Sequence, residues 1–140
     1  MTALDASDPD QISSLPESGI AIVVLEGLSM YLTNDEVREL FRSLETRYRN
    51  VRILADFYSE FGAKASRFKN PVNEVGVTQL YGLDDPAKIL QGLRLHVQKE
   101  YSFTPARLID ELTPVERIIF RQLFTGGMYR RIYRLFSFTT

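Results

Sequence analysis

Residues 20–57 read IAIVVLEGLSMYLTNDEVRELFRSLETRYRNVRILADF, and this stretch decides the fold. Residues 20–25 form an unbroken apolar run, the pattern of a strand buried on both faces. Thr33 followed three residues later by Glu36 predicts a helix opened by a capping box. Behind it Val37, Leu40, Phe41, Leu44 and Tyr48 recur at helical spacing, which leaves Arg38, Glu39, Arg42 and Glu45 facing outward. Asn50 marks the stop, and residues 51–57 (VRILADF) predict a second strand. Strand, helix and strand joined by short links make a βαβ unit, which implies parallel strands and a right-handed crossover.

Residues 59–69 read as a helix ended by Asn70-Pro71. Residues 75–80 are weakly strand-like, and Gly76 and Gly82 fit an irregular stretch equally well. Asp85-Pro86 opens a short helix through an aspartate cap and a first-turn proline, ending near Gly92. Residues 93–103 alternate as a third strand. Thr104-Pro105 and Thr113-Pro114 repeat the cap-plus-proline device and predict two more helices, the second running to about residue 124. Gly126-Gly127 is a turn, and residues 129–138 are rich enough in aromatic and β-branched residues to be a final strand. The last two strands are placed to pair antiparallel.

The chain has 140 residues, enough for one domain, with 44% hydrophobic and 25% charged residues, an ordinary balance that argues against disorder. No apolar run approaches the roughly 20 residues that span a bilayer, and the acidic first ten residues lack the layout of a secretory signal. No membrane association and a cytoplasmic location are the expectations. Without cysteine there is no disulfide, no thiolate nucleophile and no cysteine-bound metal. Residues 1–36 carry seven acidic side chains and no Lys or Arg, whereas Arg117, Arg121, Arg130, Arg131 and Arg134 crowd the far end. Those arginines are interleaved with apolar residues, so they read as solvated faces of packed elements. With a pI near 5.9 and no recognition motif, nucleic-acid binding is not expected.

The block 22–37, IVVLEGLSMYLTNDEV, resembles the signature of the leucine carboxyl methyltransferase family, which includes polyketide O-methyltransferases. LADF at 54–57 and YGLDDP at 81–86 are supporting matches. TALDASD at 2–8 is similar to the family's short strand ending in an acidic residue near the adenine. The resemblance implies an α/β fold: the carboxy-terminal half of a Rossmann-like class I methyltransferase, with parallel strands finished by an antiparallel hairpin and helices on both faces. It implies S-adenosylmethionine as cofactor, a small-molecule substrate methylated on a carboxylate or hydroxyl, and no metal. Family members carry a glycine-rich loop after their first strand, an acidic residue after the second and often an arginine near the methionine carboxylate. None of these is found in the sequence, since Gly19, the sole glycine before Gly27, precedes a strand. The expectation for residues 1–140 is therefore a single partial methyltransferase domain lacking the amino-terminal cofactor-binding half, inactive or incomplete on its own. The alternative is a non-catalytic dimerising module derived from a shortened methyltransferase.

By the resemblance, Asp5 would lie near the adenine amino group and Ala6 would offer its backbone N–H to a ring nitrogen; a frayed terminus is the competing reading. Glu26 sits at the carboxyl end of a strand, where open α/β sheets bind ligands. Its carboxylate could meet the ribose, the amino group or an arginine of the cofactor site, or it could serve as a loop-stabilising partner. Met30 and Tyr31 would face the substrate or cofactor edge, or pack the helix entry. Asp56 and Tyr58 are further pocket candidates, and no catalytic residue can be assigned. His96 is the single histidine, so no histidine pair or serine triad is available; Asp85, beside Asp84, reads as a cap. Removal of the first half of a parallel sheet would leave residues 20–25 with an open apolar edge. Edges pair with other chains, so a homodimer or a complementing chain is expected there.

Overall fold

The computed structural model describes residues 3–66, 79–101, 106–124 and 132–140. Within them the elements are α1 Pro9–Ser13, β1 Ile20–Leu25, a 3-10 turn Ser29–Tyr31, α2 Asn34–Arg47, β2 Asn50–Tyr58, α3 Glu60–Ser66, α4 Ala87–Leu90, β3 His96–Tyr101, α5 Ala106–Asp110, α6 Pro114–Phe124 and β4 Tyr133–Thr139.

The predicted βαβ unit is present. Thr33 Oγ1 accepts from the Glu36 N–H at 3.1 Å, and Glu36 Oε2 accepts from the Thr33 N–H at 2.7 Å. Two N–H groups that a helix start leaves unpaired are thereby satisfied. Val37, Leu40, Phe41 and Leu44 make the buried stripe of α2. The Thr33 N–H, and after it the Thr33 hydroxyl, hold the Glu36 carboxyl below its ordinary value of 4.5. A depressed carboxylate stabilises the fold above its unfolded value, and that contribution fades as pH falls through the folded value. Thr33→Ala is therefore expected to cost about 1 kcal/mol at neutral pH. The gap from the parent should narrow on acidification to about pH 3, measured as urea unfolding midpoints; a gap that widens would contradict the capping account.

The four strands form one sheet in the order β1-β2-β4-β3. β1 runs parallel to β2, from Ile20 opposite Asn50 to Leu25 opposite Ala55. β4 enters antiparallel between β2 and β3. The expected antiparallel pairing of the last two strands is thus found, and with it a placement that sequence did not indicate: β4 also pairs along most of β2. One face of the sheet is the core, where Val51, Ile53, Ala55, Phe57, Phe136 and Phe138 are all buried. Phe41 of α2 meets Phe138 edge to face at 5.0 Å.

Several boundaries differ from expectation. Asn50 starts β2 instead of ending the helix, which stops at Arg47 with Tyr48 as its C-cap. The acidic lead is not a strand near residue 5; instead Asp8 caps α1. The expected strand at 93–103 is shorter, because α4 gives way to a turn at Gly92 (φ 75°) before the chain extends. The Asn70-Pro71 stop, the Thr104-Pro105 device, the Gly126-Gly127 turn and most of residues 75–80 lie outside the described residues.

The largest correction concerns β1, which is not buried on both faces. Ile20, Ile22 and Val24 are 64%, 78% and 61% exposed, while Leu25 is buried. β1 is an edge strand, and no described element lies over its outer face, so half of its apolar side chains stay in water. The carboxy-terminal arginines behave as the interleaving suggests. Arg121 pairs with Asp110 at 3.2 Å, Arg134 with Glu100 at 3.1 Å, and Arg117 bonds the Asp110 carbonyl at 2.6 Å. Arg130 and Arg131 lie outside the described residues.

Candidate functional site

Two parallel strands that end side by side leave a crevice beyond their carboxyl ends, the usual ligand position in open α/β sheets. Here β1 ends at Leu25 and β2 at Tyr58. The chain leaves β1 through Glu26 and turns at Gly27, whose φ of 63° is a left-handed conformation that glycine adopts without a side-chain penalty. A cleft of about 390 Å³ opens there, lined by Val24, Leu25, Glu26, Gly27, Leu54, Asp56, Tyr133 and Leu135. Its walls are apolar, and among the described residues its titratable lining is two carboxylates and a phenol, with no cationic side chain.

The geometry is organised by Asp56, which is 3% exposed. The Gly27 N–H donates to both of its carboxylate oxygens, at 3.0 and 2.9 Å. The Tyr133 hydroxyl donates to Oδ2 in a short hydrogen bond, and the Ser29 hydroxyl donates to the Asp56 carbonyl. One residue at the end of β2 therefore ties together the β1 exit, the 3-10 turn and the start of β4. Asp56 was expected as a pocket residue. It does line the cleft, with its carboxylate engaged inside the protein, so it acts by positioning its neighbours. Tyr133 stacks obliquely on Tyr58, with ring centres 5.1 Å apart. Tyr58 contributes through that ring contact and through its carbonyl, which accepts from the Leu83 N–H at 2.7 Å.

Glu26 is exposed at the cleft mouth. Asp5 and Ala6 lie elsewhere, in a shallow depression of about 480 Å³ with Ala3, Leu4, Gln11, Leu28 and Leu32. The Asp5 carboxylate accepts from the Ser7 hydroxyl at 2.7 Å and the Ser7 N–H at 2.9 Å. These two bonds, the hydroxyl's first, hold it below its ordinary value and keep it ionised. Ala6 packs against the core. Met30 and Tyr31 form the 3-10 turn between the two depressions and line neither; the Met30 carbonyl accepts from the Tyr81 N–H at 2.8 Å. Glu26 and Asp56 are thus brought together, Asp5 and Ala6 form a second group, and Met30 and Tyr31 belong to the frame.

Sequence reading missed Gly27 and Tyr133 as site residues. Gly27 was legible in principle as the glycine after a strand. Tyr133 was not, because its place depends on the register of β4 against β2, where Tyr58 stands opposite Tyr133. Asp84 Oδ1 accepts from the Glu60 N–H and Asp85 Oδ1 from the Ala87 N–H, both at 2.9 Å, at the starts of α3 and α4. The N-cap of α4 is Pro86, one residue beyond the expected Asp85 cap, with the helix proper starting at Ala87. His96 is exposed at the start of β3. Among the described residues no group of three metal-ligating side chains exists, and no helix is long and apolar enough to cross a membrane.

With this geometry in view, comparison with known proteins is informative. No family model matches the chain. The sequence is 21% identical over 142 residues to the tetracenomycin polyketide synthesis O-methyltransferase TcmP of Streptomyces glaucescens. That match covers 99% of this chain and 52% of TcmP, so the chain spans about half the length of the curated relative. Among solved structures, magnesium protoporphyrin IX methyltransferase (ChlM) from Synechocystis PCC 6803, with bound SAH, aligns with a TM-score of 0.47. Identity there is 11%, over 91% of this chain and 47% of that one. The chain is thus similar in sequence to a polyketide O-methyltransferase, and its sheet is parallel at β1-β2 and antiparallel beyond.

Proposed function

We propose that this chain is one part of an S-adenosylmethionine-dependent O-methyltransferase that acts on a hydroxyl or carboxylate of a small molecule, with its cofactor site completed by a further polypeptide segment. The observation that carries this reading is the acidic cleft beyond the parallel ends of β1 and β2. S-adenosylmethionine, when bound, supplies a methyl group on a positively charged sulfur. A lining with two carboxylates, Glu26 and Asp56, fits such a group. Glu26 would hold its polar edge from the cleft mouth, and Val24, Leu54 and Leu135 would keep water away from the reacting atoms. Asp56 and Tyr133 would fix the turn that carries Glu26. The apolar depression around Leu28 and Leu32, rimmed by the ionised Asp5, fits a flat ring that bears an amino group.

Calorimetric titration with S-adenosylmethionine and S-adenosylhomocysteine tests the reading. The part of the site that this chain supplies is expected to bind weakly by itself, and about tenfold more weakly still in Glu26→Gln, the size of one charge-assisted hydrogen bond. Binding unchanged in that variant would remove Glu26 from the site. Absence of binding to the folded protein would overturn the enzymatic reading for this chain. The exposed, unpaired edge of β1 favours a second reading, an association module without catalysis, for which a well-folded oligomer that binds no cofactor is the expected result.

A further inference from the structure

We propose that two copies of this chain pair edge to edge through β1, antiparallel, about a two-fold axis at Val23. The inference rests on the strand itself and concerns the chain alone: a segment that completed the proposed cofactor site along β1 would compete with a second copy for the same edge.

In a strand, main-chain N–H and C=O groups of one residue point to the same side, and successive residues alternate. The Gly19 carbonyl accepts from the Asn50 N–H at 3.1 Å, so Gly19, Ala21 and Val23 direct these groups toward β2. Ile20, Ile22 and Val24 direct theirs to the outer edge. At Ile20 the outward groups are already closed, because the Ser18 hydroxyl donates to the Ile20 carbonyl at 3.0 Å and accepts from the Ile20 N–H at 3.3 Å. Ile22 and Val24 remain, with two donors and two acceptors facing a side where no described strand lies.

These four groups flank Val23 symmetrically. A two-fold axis there sets Ile22 of one copy opposite Val24 of the other, as a hydrogen-bonded pair, twice over. Every open donor meets an open acceptor and none is left. The pairing stops at Ile20, where Ser18 has closed the edge. β1 also lacks the lysine, proline or bulge with which natural edges discourage pairing.

Side chains and charge agree with this register. Ile22 and Val24, 78% and 61% exposed in the single chain, become cross-strand neighbours on one face. Glu26 of one copy comes opposite Ile20 of the other. It then shares that face with the second copy's Arg52, which stands opposite Ile22 in the β1-β2 ladder. Strand spacing puts those two Cα atoms about 12 Å apart, within reach of two long side chains laid across the isoleucines. Six residues a side are far fewer than the roughly 20 to 30 of a standard interface, so the dimer is expected to be micromolar and reversible.

Sedimentation velocity of the whole chain over a concentration series is the test, with circular dichroism to confirm folding. A mass that doubles with concentration is expected. Ile22→Lys, at a position already in water, should weaken the association at least tenfold, while Ile118→Lys, in the separate exposed patch of α6, should not. The chain has no cysteine, so Val23→Cys reads the register directly. A non-hydrogen-bonded antiparallel pair brings two Cα atoms to about 4.5 Å, inside the range a disulfide spans. A covalent dimer should therefore form under mild oxidation. A chain that stays monomeric up to millimolar concentration would overturn the proposal. So would a dimer that survives Ile22→Lys but is lost in Ile118→Lys, or a folded Val23→Cys protein that does not cross-link.

Discussion

Asp56→Ala is expected to destabilise the fold by about 2–4 kcal/mol, because it removes a single acceptor on which two donors from distant parts of the chain converge. The Gly27 N–H and the Tyr133 hydroxyl both end on the Asp56 carboxylate. With Asp56 truncated, Gly27 loses its partner in a part-buried turn, and a donor left unsatisfied costs about 1–3 kcal/mol. Tyr133 is half-buried and can recover part of its loss from water. Asp56→Asn keeps one acceptor oxygen and should recover part of the deficit. The urea midpoint is the measurement, with an unchanged slope showing that the native state kept its compactness. A shift below about 0.5 kcal/mol, the range of ordinary surface substitutions, would mean that the carboxylate is not holding the cleft together.

Phe138→Ala should cost more, about 3–5 kcal/mol, the range for a fully buried aromatic ring. Phe138 is 0% exposed and lies where α2 meets the middle of the sheet. Its ring packs edge to face on Phe41 at 5.0 Å and on Phe57 at 6.2 Å. The cavity left behind is bounded by β-sheet on one side and a capped helix on the other, neither of which can easily close on it. Ile22→Ala deletes a similarly hydrophobic side chain and should change stability little, because Ile22 is 78% exposed. Thermal unfolding of the two variants side by side separates the sheet's packed face from its open one; equal losses would show that the outer face is covered in solution.

The contrast between those faces marks the limit of what sequence could tell. The capping box at Thr33 and Glu36, the stripe from Val37 to Leu44 and the parallel pairing of β1 with β2 were all legible, because each rests on local spacing and short links. The face of β1 was not. An apolar run carries no information about which of its sides the rest of the chain will reach, and IAIVVL reads the same whether one face or two are covered. Glu26 and Asp56 could be named from their positions at strand ends. The engagement of Asp56 could not, since its partner Tyr133 is brought in by a register 77 residues away along the chain. Asp5 was legible as an acidic residue in a suggestive context, but its bonds to Ser7 belong to a local turn that resemblance alone does not specify.

The strand order β1-β2-β4-β3 bears on the sequence of events during synthesis. Among the described elements β1, α2 and β2 leave the ribosome before β3 and β4, and they can associate at once because their contacts are near in sequence. β3 emerges next and finds no neighbour, since the position between it and β2 is reserved for β4. Until β4 arrives, β2 shows an unpaired flank and Phe41 has no Phe138 to meet. Until then the open flank of β2 is added to the open edge of β1, and closing the long connection to β4 is the slow, entropically costly step. Exposure to aggregation is therefore greatest in the interval before β4 is made.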